Sequence, residues 1–241
     1  MSPTCRGRTR RLLLVLASAP TIAAAQQAPD TRPTVAVMYF NNSALVRHAE
    51  YQPLSKGIAD VLITELQANA AIRVLERDAL QRLLEEQNLS SDTTRVDQET
   101  AVRIGKILGA RHMIFGGFLV DMRGQVRIDA RAVDVETSRI EYVASKTAKA
   151  DDLLSVIGDL AAELNTGMKL PSLSEPARTP SRGPVRSAAS YRALMLYSQG
   201  LAEEDRRNSK AAAELYRAAL SQYPELPQAR KRLNAIANAE P

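Results

Sequence analysis

The apolar residues of this chain follow two rhythms, one suited to buried strands and one to helix faces. Thr34–Phe40 (TVAVMYF) is a continuous apolar run rich in β-formers, with Pro33 before it and Asn41, Asn42 and Ser43 after it. It predicts a strand buried on both faces. Ile58, Val61, Leu62 and Leu66 recur at helical spacing and predict a helix of about four turns. Ile72–Leu75 predicts a second short strand, and Leu80, Leu83, Leu84 and Leu89 a second amphipathic helix, with Glu85, Glu86 and Gln87 on its wet side. Asp97 is placed to cap a third helix and Glu99 to complement its dipole, while Ala101, Ile104 and Leu108 face inward. Gly109 supplies the left-handed stop. His112–Val120 predicts a core strand. The pattern then alternates, with Val126, Ile128 and Ala130 opposite Arg127, Asp129 and Arg131. Turns at Met122–Gln125 and Glu136–Ser138 fold this stretch into a three-stranded antiparallel meander. A last helix covers about Asp151–Met168.

Residues 171–186 carry four of the chain's 12 prolines and no apolar period, so 169–187 is expected to be a linker. Beyond it, Leu194, Leu196, Tyr197 and Leu201 mark one helix. Ala212, Leu215, Tyr216, Ala219 and Leu220 mark a second that Pro224 ends, and Leu233 and Ile236 mark a third. Small residues at Gly200, Ala212 and Ala219 let these helices approach closely. The spacing resembles one tetratricopeptide repeat followed by a solvating helix. It departs from the motif at Leu196, Gln199 and Glu203, where a Trp, a Leu and an aromatic are usual. A generic helical hairpin is the plainer reading. Arrays of this kind usually need about three repeats, so a single one must dock on the rest of the chain, pair with another copy, or be marginal.

Charge is unevenly distributed. Residues 1–25 hold Arg6, Arg8, Arg10 and Arg11 and no acid, followed by the apolar run Leu12–Ala25, broken at Pro20. They read as a signal peptide cut near Ala25–Gln26, the run being short for a membrane span. An uncleaved anchor is the alternative. The formal net charge of +5 therefore belongs mostly to the leader, since residues 26–241 hold 28 basic and 27 acidic side chains. Within them, 26–176 is acidic (17 basic, 21 acidic) and 177–241 basic (11 basic, 6 acidic). Cys5, the one cysteine, precedes the apolar run, so a lipid-anchoring cysteine, disulfides and thiolate chemistry are not expected in the mature chain. The periplasm fits this composition.

Motifs of catalysis are not legible. His48 reads as a loop residue and His112 as a strand-end residue, and no spaced His/Glu pair points to zinc. No serine sits in G-x-S-x-G or S-x-x-K. Gly116–Gly117 lies inside a strand pattern, where a bulge or close packing explains it better than a phosphate loop. Glu76-Arg77-Asp78 follows a strand and opens a helix, and a buried Glu76–Arg77 structural pair is the expected role. With 4 % aromatics and no Trp, the tail's arginines have no stacking platform for nucleic acid. No enzyme activity, cofactor or metal is expected.

The ordered segments TVAVMYFNNS, GIADVLITELQANAAIRVLERDALQRLLEEQNLS, VDQETAVRIGKILGARHMIFGGFL and VRIDARAVDVETSRI resemble the curli production assembly/transport component (CsgG-like) family. The most telling pieces are Val74-Leu75-Glu76-Arg77 before Leu80, Leu83 and Leu84, and Gly109-Ala110 leading into the strand with Gly116–Gly117. The resemblance spans about 34–168. It implies an exported α/β domain, ring assembly, and outer-membrane lipoproteins in which each subunit lends two β-hairpins to a secretion barrel. A membrane-spanning strand takes about 9–11 residues, and the turns near 121–125 and 147–151 leave no room for such hairpins.

The expected architecture is therefore a three-layer-like α/β domain over 34–168, its mixed sheet combining buried strands with an antiparallel meander flanked by helices, and a small all-α hairpin module over 188–238. The expected function is that of a periplasmic assembly or transport accessory that binds envelope or secretion proteins and is at most peripheral to the outer membrane. A ring homo-oligomer is implied by the family. The alternatives are a subunit of a curli-type secretion channel and a periplasmic scaffold like the N-terminal domain of TolB. Structural roles are expected for Glu76, Arg77, Gly109, Gly116 and Gly117, and packing roles in the module for Gly200, Ala212, Tyr216, Ala219 and Pro224. Tyr197 and Arg192 are candidates for partner contact, although core packing suits Tyr197 and Tyr216 equally. Intact-mass measurement of the exported protein should give an N-terminus at or near Gln26.

Overall fold

Val35, Ala36 and Val37 are all buried, so strand β1 (Thr34–Val37) is covered on both faces, as its unbroken apolar run requires. The structure, a computed structural model, describes residues 30–87, 96–171 and 188–239. The leader with its cleavage site and Cys5, Leu89, and most of the predicted linker (172–187) lie outside the described residues.

Pairing of β1 stops earlier than the apolar run. Met38 still donates its N–H to Ile114 O (2.8 Å), but Phe40 turns its N–H to Ser55 O (3.2 Å). Asn41–Asn42, expected to bound the strand, instead form β2 beside Gly117 and Phe118. Where a loop was expected around His48 there is a helical turn, α1 (His48–Tyr51). Helix α2 (Leu54–Gln67) buries Leu54, Ile58, Leu62 and Leu66. β3 (Arg73–Val74) pairs parallel with β1, and α3 (Arg77–Glu86) buries Leu80, Leu83 and Leu84. Helix α4 (Gln98–Leu108) begins at Asp97, whose carboxylate accepts the Thr100 N–H (2.9 Å), and stops at Gly109, which has φ 65°. That backbone conformation is one glycine adopts without strain.

β4 (His112–Val120) pairs parallel with β1 on one side and antiparallel with β5 (Gln125–Asp134) on the other; β6 (Arg139–Lys149) closes the meander. The sheet order is β3-β1-β4-β5-β6, with β2 against the far half of β4. A short 3-10 turn (Ala150–Asp152) leads directly into α5 (Leu153–Gly167). Helices α2 and α5 pack on one side of the sheet, while α4 packs on β4 and β5, where a Cβ on Gly105 would meet Met113 and Val135. Val126, Ile128 and Ala130 are buried, and Arg127 and Arg131 point to water, as the alternation predicts. The result is a mixed six-stranded sheet flanked by helices and followed by three further helices, α6 (Ala188–Asp205), α7 (Ser209–Gln222) and α8 (Pro227–Ala239). This is the expected fold class. From Arg32 onward the chain is one compact unit, and the tail helices share its hydrophobic core.

Gly116 marks the tightest approach in the sheet, because a Cβ there would lie 2.0 Å from Asp129 O on β5. A Cβ on Gly158 of α5 would have room, with Glu65 Oε2 of α2 at 3.9 Å. Gly116→Ala should therefore lose at least about 2 kcal/mol by overpacking against backbone. Gly158→Ala should gain up to about 1 kcal/mol from helix propensity. Urea unfolding monitored by circular dichroism measures both.

Candidate functional site

Just beyond the carboxyl ends of the parallel strands β1 and β3, where open α/β sheets commonly hold their ligands, stand Tyr39 and Arg77. The chain's own tail covers them. Arg77 is 2 % exposed, and its Nη1 lies 2.8 Å from Asp205 Oδ1, at the end of α6, and donates to Tyr39 Oη at 3.1 Å. Lys56 on α2 holds the other Asp205 oxygen at 2.8 Å and lies over the Tyr39 ring. Asp60, one turn further along α2, accepts the Tyr197 hydroxyl from α6 (2.5 Å) and faces Arg232 Nη2 from α8 at 3.5 Å and Arg77 Nε at 3.9 Å. Arg232 also reaches Asp78 (2.8 Å) and Glu204 (3.2 Å), and Glu204 accepts the Tyr216 hydroxyl (2.5 Å).

Local sequence explains each placement. The acids and bases of α2 lie one turn apart, so Lys56 and Asp60 project from one face. Arg77 begins α3, so its side chain starts from the junction between strand and helix. The tail approaches closely because both sides are small at the crossing. A Cβ on Gly57 would overlap Ser198 of α6 and one on Gly200 would sit 2.4 Å from the Tyr216 ring, which lies 5.5 Å from that of Tyr197. Ala212 and Ala219 are fully buried on α7, and Pro224 follows its end and accepts Arg230 Nη2 at 2.9 Å.

The electrostatics hold Arg77, Tyr197 and Tyr216 in their protonated forms. Burial works against charge on Arg77, yet Tyr39, Asp205 and Asp60 hold its guanidinium above the ordinary arginine range. Burial and then the Asp60 carboxylate push the Tyr197 phenol well up, and burial with Glu204 does the same to Tyr216. All three therefore remain donors across the physiological range.

Two expectations are corrected here. The predicted buried Glu76–Arg77 pair does not form. Glu76 is turned to the rim, where it accepts Gln67 Nε2 and Lys231 Nζ, each at 3.1 Å, and Arg77 takes Asp205 from the tail, an acid 128 residues away. Tyr197 is wholly buried with its hydroxyl on Asp60, so it contacts the chain's own α2 and does not face a partner. Arg192 is exposed on α6. Gly116 and Gly117 face backbone neighbours on β5 and β2, and Gly109 caps α4, all outside this junction. Asp60, Lys56, Asp205 and Arg232 were not singled out from sequence. The spacing of Lys56 and Asp60 was the one available signal.

Beside the cluster, α1, the start of α2 and the end of α6 enclose a cavity of about 470 Å³ lined by His48, Pro53, Lys56, Ala202, Asp205 and Arg206. It brings apolar walls together with cationic side chains and supplies no nucleophile–base pair. Elsewhere, His112 Nδ1 stands 2.7 Å from Glu141 Oε2 on β6.

Fold and junction define an α/β domain whose helical tail is locked over the carboxyl ends of its parallel strands. Residues 16–120 match the model of the family described as curli production assembly/transport component CsgG, which bears out the resemblance carried by the residues. The match ends at the last residue of β4, so the meander's other strands, α5 and the tail lie beyond it. No curated protein matches the chain. Among solved structures, the LpoB C-terminal domain from Salmonella enterica is similar at 12 % identity and TM-score 0.35, covering 51 % of this chain and 87 % of that one. Lipoprotein GNA1162 from Neisseria meningitidis is similar at 12 % identity and TM-score 0.39, covering 56 % and 99 %. The PelC dodecamer from Paraburkholderia phytofirmans, in a variant with methionine in place of one leucine, is similar at 17 % identity and TM-score 0.34, covering 57 % and 89 %.

Asp205→Ala leaves Lys56 buried without its acid and Arg77 without its closest one, and should cost about 3–5 kcal/mol. Lys231→Ala removes a rim pair with Glu76 and should change stability by no more than about 0.5 kcal/mol. Paired urea titrations measure the contrast.

Proposed function

We propose that this protein is a non-enzymatic accessory of envelope assembly or transport, working in the periplasm by binding other proteins. The match of residues 16–120 to a curli assembly/transport family carries this reading. Supporting it, the place where an α/β sheet would offer a substrate cleft is filled by Asp205, Tyr197 and Arg232 of the same chain. The tail exposes Arg192, Arg207, Lys210 and Arg217, cations available to an acidic partner. The acidic balance of residues 26–176 and the basic balance of 177–241 suit contacts with partners of either charge.

The family's transport role makes a secretion-channel subunit the second reading. Against it, the connection between β4 and β5 occupies only 121–124, and β6 runs into the 3-10 turn without an intervening loop. Fractionation of cells exporting the full chain tests the proposal: sodium carbonate or high salt should release it from membranes. Resistance to both, or conductance of the purified protein in planar bilayers, would establish the channel reading instead.

A further inference from the structure

At the opposite end of the sheet from the junction, the amino-terminal end of β4 meets the carboxyl end of β5 and the start of β6. His112 and Asp134 are directly opposite one another in the β4–β5 register. On β6, Ala132 faces Tyr142 and Val133 faces Ile140, so Glu141 is the extra residue of a β-bulge. Bulges re-aim a side chain, and this one turns the Glu141 carboxylate onto the His112 ring, with Oε2 2.7 Å from Nδ1. One ligand atom from each of His112, Asp134 and Glu141 lies within 4.8 Å of the other two. His112 and Asp134 are 8 % and 5 % exposed, while Glu141 opens to water.

We propose that His112, Asp134 and Glu141 form a binding site for a single divalent transition-metal ion, with Zn²⁺ the best match to one imidazole nitrogen and two carboxylate oxygens. Tetrahedral Zn²⁺ with bonds of about 2.0–2.2 Å places its donors about 3.3 Å apart. The trio therefore has to tighten by about 1.5 Å at most, within reach of side-chain rotation at the open, bulged Glu141. The hydrogen bond between His112 and Glu141 marks the place where a metal ion substitutes for a proton. Asp134 is oriented from behind: Arg111 Nε donates to Oδ2 at 2.9 Å and the Thr137 N–H to Oδ1 at 2.7 Å. Each oxygen keeps a further lone pair for the ion, and hydrogen-bonded carboxylates of this kind are usual behind metal ligands. Glu136, on Arg111 Nη1 at 2.5 Å, offsets the guanidinium charge beside the site. Three protein donors leave a position for water, so the site is open and exchangeable. A bound ion would fasten β6 to β4 across β5. Nothing in this proposal depends on the envelope role.

The experiment uses the exported chain after chelation, titrated with Zn²⁺ by calorimetry and with Co²⁺ by visible absorption. The wild type should bind one equivalent of each. Glu141→Gln, a conservative change at a partly exposed side chain, should weaken both at least tenfold, while its circular dichroism stays unchanged. His48→Gln should bind as the wild type does. Absence of binding in the wild type, undiminished binding in Glu141→Gln, or loss of binding in His48→Gln would overturn the site. Asp134→Asn also removes acceptors of Arg111 and Thr137, so Glu141→Gln is the deciding variant.

Discussion

The arrangement of this molecule depends on how the charge of Arg77 is compensated. A guanidinium almost wholly removed from water is tolerated only when carboxylates and hydroxyls surround it. The α/β part supplies Asp60 and Tyr39, and the tail supplies Asp205, the acid closest to it. Arg232 makes the reciprocal demand from the tail side, reaching Asp60 and Asp78 on the sheet domain. Each part therefore buries a charge that the other helps to neutralise. Such networks add little to net stability compared with an apolar interface, but separating the partners is costly. Their effect is to specify one docking geometry for the tail.

That geometry also answers how a single repeat-like hairpin can be stable. Solenoid repeats bury their faces against neighbouring repeats. Here α2 takes the neighbour's place, with Gly57 beneath Ser198 and Leu194 of α6, while α7 is packed from behind through Tyr216 over Gly200. The helix surface that a longer array would offer to ligands is consequently partly occupied, while Arg192, Arg207, Lys210 and Arg217 stay exposed.

The sheet divides its labour in a comparable way. On the side of the parallel strands, helices α2 and α3 and Tyr39 beyond β1 carry the residues that receive the tail, and these fall within the segment matched to the CsgG family. The antiparallel strands β5 and β6 extend the sheet to an edge, with alternate residues in water. The bulge at Glu141 lies on that edge, where an irregular residue disturbs few neighbours.

Local patterning was sufficient for most of the elements, though not for β2 or the single turn α1. Apolar runs announced β1 and β4, alternation announced the meander, helical spacing announced α2 to α8 apart from the single turn α1, and Asp97 and Gly109 announced the ends of α4. These features depend on residues within a few positions of one another, and their physics is readable from spacing. Tertiary structure alone decided which charges meet. Arg77 was read with its neighbour Glu76 because sequence shows adjacency, yet Glu76 faces the rim while the chain's path brings Asp205 and Arg232 to the strand ends. The same holds for His112, whose partner Glu141 arrives through strand pairing and a one-residue bulge. Ion pairs have no periodicity, and desolvation rewards whichever opposite charge the packing delivers, so their partners emerge only once helices and strands are assembled.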